Sequence, residues 1–246
     1  MKTIYVDAKW EGKLELGKDL LLHLTKLKAK KVALFASVQF LALDDIKKQL
    51  KNEGMEVLTT KANRTDVEAQ VLGCDAYHDS FESDIIEKTD AILYIGDGLF
   101  HPKALLLSQR THEKTKDIII WDPVSKKMRI ITKDDISKQL QKMKANIKRY
   151  LSSTTIGILV TIKPGQQYLH LAKKLKQTLE SEGKKGYIFI DDTLSYHHFE
   201  NYPFIDCWVN TACPRIGMDD IVNMPKPLIN IREAFDPIRA LEEFHA

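Results

Sequence analysis

Asp90-Ala91-Ile92-Leu93-Tyr94-Ile95-Gly96-Asp97-Gly98 is the stretch on which the fold is decided. A short continuous apolar run closed by a glycine turn reads as a strand buried on both faces, the kind found in parallel sheets. Runs of the same kind stand at Lys31 to Ala36, Glu56 to Thr60 and Asp117 to Trp121, with a further strand at Thr3 to Val6. Between them the apolar spacing becomes helical, near Gly17 to Leu27 and Leu43 to Glu53. Strands alternating with amphipathic helices predict α/β architecture.

The second half repeats the grammar. Ile156 to Thr161 reads as a strand, Gln167 to Glu182 as a helix, and Gly186 to Asp191, Asp206 to Thr211 and Lys226 to Ile231 as strands. In order along the chain, Val32 to Ala36 with a following loop at Gln39 parallels Gly157 to Thr161 with a loop at Gln166, and Asp90 to Ile95 parallels Asp206 to Thr211. The expectation is two similar parallel-sheet α/β units with an intervening cleft: residues 1–133, carrying Cys74, and residues 134–246, carrying Cys213. A helix near Asp134 to Leu151 joins them. Its lysines alternate with Ile136, Leu140, Met143, Ile147 and Leu151, so its basic side is read as solvated rather than as a nucleic-acid surface.

With 246 residues and 43% hydrophobic content the chain has the material for ordinary cores. No apolar run approaches the roughly 20 residues that span a bilayer, and Met1-Lys2-Thr3 leads straight into Ile4 without a signal-peptide apolar region. A net charge of +3 is too small to argue for nucleic acid. Three cysteines, an odd number, argue against a disulfide framework and for a reducing, cytoplasmic setting with no membrane partner. No Walker-type loop, His-Glu-x-x-His helix or Cys-x-x-Cys pair occurs.

In open parallel sheets, ligands bind beyond the carboxyl ends of the strands. Gln39, Gly96-Asp97-Gly98, His101, Gln166 and Cys213-Pro214-Arg215 all follow strands directly. Cys74, in Gln70-Val71-Leu72-Gly73-Cys74-Asp75, sits in a small, turn-prone neighbourhood like that of Cys213, so the two read as ligands of one shared site. Cys207 lies in an apolar run and reads as core. Along an extended strand it stands about 20 Å from Cys213, too far to share one site with it. His197-His198 reads as surface. Gly96 to Gly98 suits either a close backbone approach to a ligand or a plain turn, and His101 either a proton carrier or a residue held extended by Pro102. Lys163-Pro164-Gly165-Gln166 opens the following helix, whose amides attract carboxylates. Arg215 has two readings, pairing with a ligand carboxylate or with Asp219 and Asp220.

Four ordered motifs, Gln70 to Cys74, Tyr94 to Pro102, Lys163 to Gln166 and Asn210 to Ile216, resemble the archaeal diphthamide synthase family, 2-(3-amino-3-carboxypropyl)histidine synthase. The resemblance implies a transferase of noncanonical radical type. In it S-adenosylmethionine, cleaved on a 4Fe-4S cluster, yields a 3-amino-3-carboxypropyl group that is added to a histidine of translation elongation factor 2. It further implies three related domains with one cluster cysteine each, as a homodimer or heterodimer. Cys74 matches the second-domain ligand and Cys213 the third. Gln39, Gly96, Asp97, Gly98, Gly165, Gln166 and Arg215 become cofactor-binding candidates, and His101 a catalytic one. The chain begins where the family's second domain would begin, which leaves the third cluster cysteine to a partner protein; His78 is the alternative within the chain. Two other functional readings stay open. One is a non-catalytic partner subunit of a diphthamide synthase, and the other a related 3-amino-3-carboxypropyl transferase with another acceptor.

Overall fold

A computed structural model describes residues 9–244, in two units, Met1–Ile136 and Ser137–Ala246. The strand expected at Thr3 to Val6 lies outside the described residues.

The first unit runs α1 (Lys18–Lys26), β1 (Lys31–Ala36), α2 (Asp44–Asn52), β2 (Glu56–Leu58), β3 (Ala91–Ile95), α3 (Phe100–Ser108), β4 (Ile118–Asp122) and β5 (Lys127–Ile131). Its sheet has the order β2-β1-β3-β4-β5, parallel except for β5, which returns antiparallel to β4. β3 is buried throughout, as is β1 beyond Lys31, which is why both read as unbroken apolar runs. α1 and α2 present Leu20, Leu24, Ile46 and Leu50 to a core shared with Leu34, Leu93 and Trp121.

The second unit runs α4 (Ser137–Ser152), β6 (Thr155–Thr161), α5 (Leu169–Ser181), β7 (Lys185–Asp191), α6 (Tyr196–Phe199), β8 (Cys207–Asn210), β9 (Leu228–Asn230), α7 (Ile231–Phe235) and α8 (Pro237–Glu242). Its sheet is parallel throughout, in the order β7-β6-β8-β9. α4 buries Met143, Ile147 and Tyr150, while Lys138 and Lys148 are exposed and Lys142 and Lys144 half-buried.

The strand order β2-β1-β3-β4 of the first unit recurs as β7-β6-β8-β9 in the second. The repeat reaches single side chains. Before β3, Asp90 Oδ2 accepts the amides of Lys30 and Lys31, both at 2.8 Å, and so fastens the start of β1. Before β8, Asp206 Oδ2 accepts those of Thr154 and Thr155 at 3.1 and 2.8 Å and fastens β6. Before β4, Lys116 Nζ donates to the carbonyls of Ile86, Glu87 and Thr89; before β9, Lys226 Nζ donates to those of Tyr202, Pro203 and Ile205. Each ammonium thus answers three carbonyls in a connection with no sheet partner of its own.

Five elements escape the sequence reading: β5, α3 and the short helices α6, α7 and α8. β5 alternates exposed and half-buried residues at a sheet edge, so it offers no apolar run. α3 buries Ala104, Leu105, Leu106 and Leu107 in succession, which erases the helical period. The helix also corrects one expectation: His101 and Pro102 lie in its first turn and are not extended. Proline is tolerated there because first-turn amides have no partner within the helix.

Candidate functional site

Cys74 stands on a loop tied to the carboxyl end of β1. Ala36 donates its amide to Ala69 O and accepts that of Val71, at 2.8 and 3.1 Å, so residues 69–71 run beside the strand and deliver the next turn to its end. That turn is closed by Asp75, whose Oδ2 accepts the Leu72 amide at 2.7 Å while its own amide donates to Leu72 O at 3.0 Å. Asp75 is buried, and burial lifts its carboxyl above the ordinary value against the opposing pull of the Leu72 amide and Arg64. Gly73 packs against the Phe100 ring so closely that a Cβ would come within 1.8 Å of it, which couples the cysteine loop to the start of α3. The Cys74 thiol is left half-buried.

The other first-unit candidates follow the carboxyl ends of β1 and β3. Gln39 is in a short 3-10 turn, Val38–Phe40, exposed, with its carbonyl accepting the Trp10 amide at 2.8 Å. Gly96 donates its amide to Trp121 O, and Asp97 and Gly98 form an exposed turn beyond β3. The His101 ring stacks at 6.4 Å on Tyr94. Sequence reasoning passed over Ser37 and Tyr94, whose buried hydroxyls at the ends of β1 and β3 have no hydrogen-bond partner other than one another among the described residues. Burial pushes the Tyr94 phenol well above its ordinary range, so it stays protonated. The signal was present as Tyr94 within an otherwise aliphatic run. His78 lies in the 3-10 turn His78–Ser80, and its buried Nδ1 has no partner among the described residues.

Cys213 follows β8 directly and caps the 3-10 turn Pro214–Gly217. Two asparagines hold this loop. Asn210 Nδ2 donates to Cys213 O and to Asn230 Oδ1, both at 2.8 Å, while Asn230 Nδ2 donates to Pro214 O at 2.9 Å. Thr211 Oγ1 fastens the strand end to Leu159 O at 2.7 Å. Neither asparagine was singled out, because a polar residue at the end of an apolar run looks like a simple strand terminus. The Cys213 thiol is half-buried. Arg215 makes the second of its two expected pairings: Nε and Nη2 both reach Asp219 Oδ2, at 2.8 and 2.5 Å, with the guanidinium buried. This pairing helps to hold the cysteine turn.

Beside this turn an open recess of about 130 Å³ is lined by Thr161, Lys163, Gln166, Asp192, Thr193, Ala212, Ile216 and Asp220, among others. Ala212 is the neighbour of Cys213 in sequence. Gln166 is thus on the recess wall, but α5 starts at Leu169, so Lys163 to Gln166 form a separate turn and do not open the helix as expected. Gly165 makes that turn possible with φ +75°, a backbone conformation that other residues adopt at a cost. Asp220 is lifted above the ordinary carboxyl value by burial and then by Asp219, with Arg215 opposing.

Cys207 behaves as read: it is fully buried in β8, its thiol donates to Trp208 O at 3.6 Å, and burial raises its pKa far beyond the thiolate range. His197 and His198 are exposed, and His198 Nδ1 lies 3.4 Å from Asp191 Oδ2.

Iron is held by thiolates, and the two half-buried cysteines on hydrogen-bonded loops meet that requirement where the buried Cys207 does not. His78 adds an imidazole nitrogen that is buried without a partner among the described residues, four residues after Cys74. Each of the two loops thus carries a donor of the kind that holds iron.

Comparison with known proteins agrees. The sequence model of the family described as "Putative diphthamide synthesis protein" matches residues 1–242. The 2-(3-amino-3-carboxypropyl)histidine synthase of Pyrococcus horikoshii is 30% identical over 203 residues, 82% of this chain and 55% of that protein. Subunit 1 of the Caenorhabditis elegans synthase is 30% identical over 161 residues, covering 65% of this chain and 38% of its own length. The crystal structure of Dph2 from Pyrococcus horikoshii with a 4Fe-4S cluster superimposes with a TM-score of 0.71 at 26% identity, over 93% of this chain and 62% of that one. The chain spans about half the length of the curated relatives it matches.

Proposed function

This chain belongs to the diphthamide synthesis family, and we propose that it carries out the first step of diphthamide formation, moving a 3-amino-3-carboxypropyl group from S-adenosylmethionine to a histidine of translation elongation factor 2. The observation that carries this reading is the pair Cys74 and Cys213, each half-buried on a loop braced at the carboxyl end of a parallel sheet. These two thiolates would hold a 4Fe-4S cluster, which would supply the electron for breaking the bond from sulfur to the aminocarboxypropyl chain. The third protein ligand is assigned to a segment outside these 246 residues, on the same or another polypeptide.

The recess beside Cys213 suits the cofactor's polar groups. Lys163 offers a cation for its carboxylate and Gln166 a second donor. Asp220, Asp192 and Thr193 supply acceptors for the ammonium group and ribose hydroxyls. In the first unit, His101, stacked on Tyr94, is our candidate to take or give a proton at the acceptor imidazole.

The test is anaerobic reduction of the cluster-loaded chain, together with a protein supplying the missing thiolate, in the presence of S-adenosylmethionine and elongation factor 2. Methylthioadenosine and a matching mass increase on one histidine of the factor are expected. A fully loaded cluster that yields neither would favour a non-catalytic partner role; methylthioadenosine without modified factor would favour another acceptor.

A further inference from the structure

In the first unit, a turn before β3 and the segment after α3 bring together Asp84, Glu87 and His112, whose ligand atoms all lie within 4.8 Å of one another. We propose that these three residues form a binding site for a divalent transition-metal cation such as Mn²⁺ or Zn²⁺, separate from the cysteine site. His112 Nε2 is 3.2 Å from Asp84 Oδ2 and 4.0 Å from Glu87 Oε1. Ligands about 2.1 Å from a tetrahedral metal stand about 3.4 Å apart. The Asp84 and His112 atoms already have that spacing, and the Glu87 side chain, 63% exposed, is free to close the remaining gap. One imidazole with two carboxylates is a donor set for Mn²⁺ or Zn²⁺ rather than for a soft metal.

The ligands are held before any ion arrives. Asp84 Oδ1 accepts the Glu87 amide at 3.1 Å, leaving Oδ2 toward His112. Lys116 Nζ anchors the same turn through Ile86, Glu87 and Thr89. The His112 amide donates to Gln109 O, and the buried Gln109 side chain binds Leu105 O together with the amide and carbonyl of Lys116. The imidazole is only 8% exposed and points its Nε2 at both carboxylates.

The internal repeat shows that the fold does not need this cluster. Asp84 and Glu87 stand six and three residues before Asp90, and His112 four before Lys116; the matching positions of the second unit are Glu200, Pro203 and Val222. There Lys226 makes the same three-carbonyl clamp without the histidine and without the second carboxylate. The cluster also lies at the amino end of β3, whereas the Cys74 loop is tied to the carboxyl end of β1, which runs parallel to it.

Titration of the metal-stripped chain with Mn²⁺, followed by electron paramagnetic resonance of the free ion, tests this. Manganese is the probe because it avoids thiolates. One saturable site is expected, weakened roughly tenfold or more by Glu87→Gln and His112→Ala. The Cys74→Ser/Cys213→Ser double variant should retain it, and Mn²⁺ should raise the melting temperature of the parent but not of Glu87→Gln. Absence of saturable binding in the parent, equal binding in Glu87→Gln and the parent, or binding that depends on the cysteines would overturn the proposal. A fall in melting temperature for His112→Ala with no Mn²⁺ binding by the parent would reduce the cluster to an ion pair.

Discussion

Gly73 has no room for a side chain beside Phe100, so a methyl group there must push the ring away or move the cysteine turn. Gly73→Ala is expected to cost about 1–3 kcal/mol through overpacking and to lower iron content, and adding Phe100→Ala should restore part of both. Denaturant unfolding and iron analysis of the two variants check this; an iron content unchanged in Gly73→Ala would show that the turn does not govern Cys74. Cys207 and Cys213 separate in the opposite sense. A buried hydroxyl at position 207 costs roughly 1–3 kcal/mol, so Cys207→Ser should be less stable yet keep its iron, while Cys213→Ser should lose iron at little cost in stability. Both cysteine readings were legible because their neighbours differ: an apolar run around Cys207, a proline and small residues around Cys213. Arg215 was legible only as a choice, since sequence spacing allows Asp219 and a ligand carboxylate equally and only the buried geometry selects Asp219.

At the level of elements, the duplicated clamps make two predictions. The amides of Lys31 and Lys30 hold the Asp90 carboxylate below its ordinary value of 3.8. A depressed folded-state value contributes stability that is present above the unfolded value and is lost as pH falls through the folded one. The advantage of the parent over Asp90→Asn should therefore be constant near neutral pH and be lost as pH falls below the ordinary value of 3.8 and through the lower folded-state one. Urea midpoints across that range measure it, and a difference that grows on acidification would contradict the sign. Lys116→Met leaves three carbonyls without their donor and should destabilise by about 2 kcal/mol or more, with Lys226→Met behaving alike in its own unit. Hydrogen exchange around Ile86 to Thr89 and Tyr202 to Ile205 distinguishes this local loosening from a global change. The parallel strands were legible because burial on both faces writes itself as a continuous apolar run. β5 and α3 were not, since an edge strand keeps one side polar and a helix buried all round has no polar side to set its period.

For the whole molecule, what the sequence made plain was the repeated α/β plan and the two loop cysteines. What it hid were the groups that brace them, Asp75, Asn210 and Asn230, because a short polar side chain beside a turn looks the same whether it faces water or closes a loop. The central claim is that Cys74 and Cys213 ligate one iron–sulfur cluster, whose remaining ligand comes from elsewhere. The chain alone should accordingly hold iron weakly and gain it when a further thiolate is supplied. The most direct test is iron and sulfide content after anaerobic reconstitution with excess small-molecule thiol to fill the open position, compared among the parent, Cys74→Ser, Cys213→Ser and Cys207→Ser. The account predicts that the first two substitutions each abolish the cluster and its absorption while the third leaves both at the parent level; a cluster retained in full by either Cys74→Ser or Cys213→Ser would contradict it.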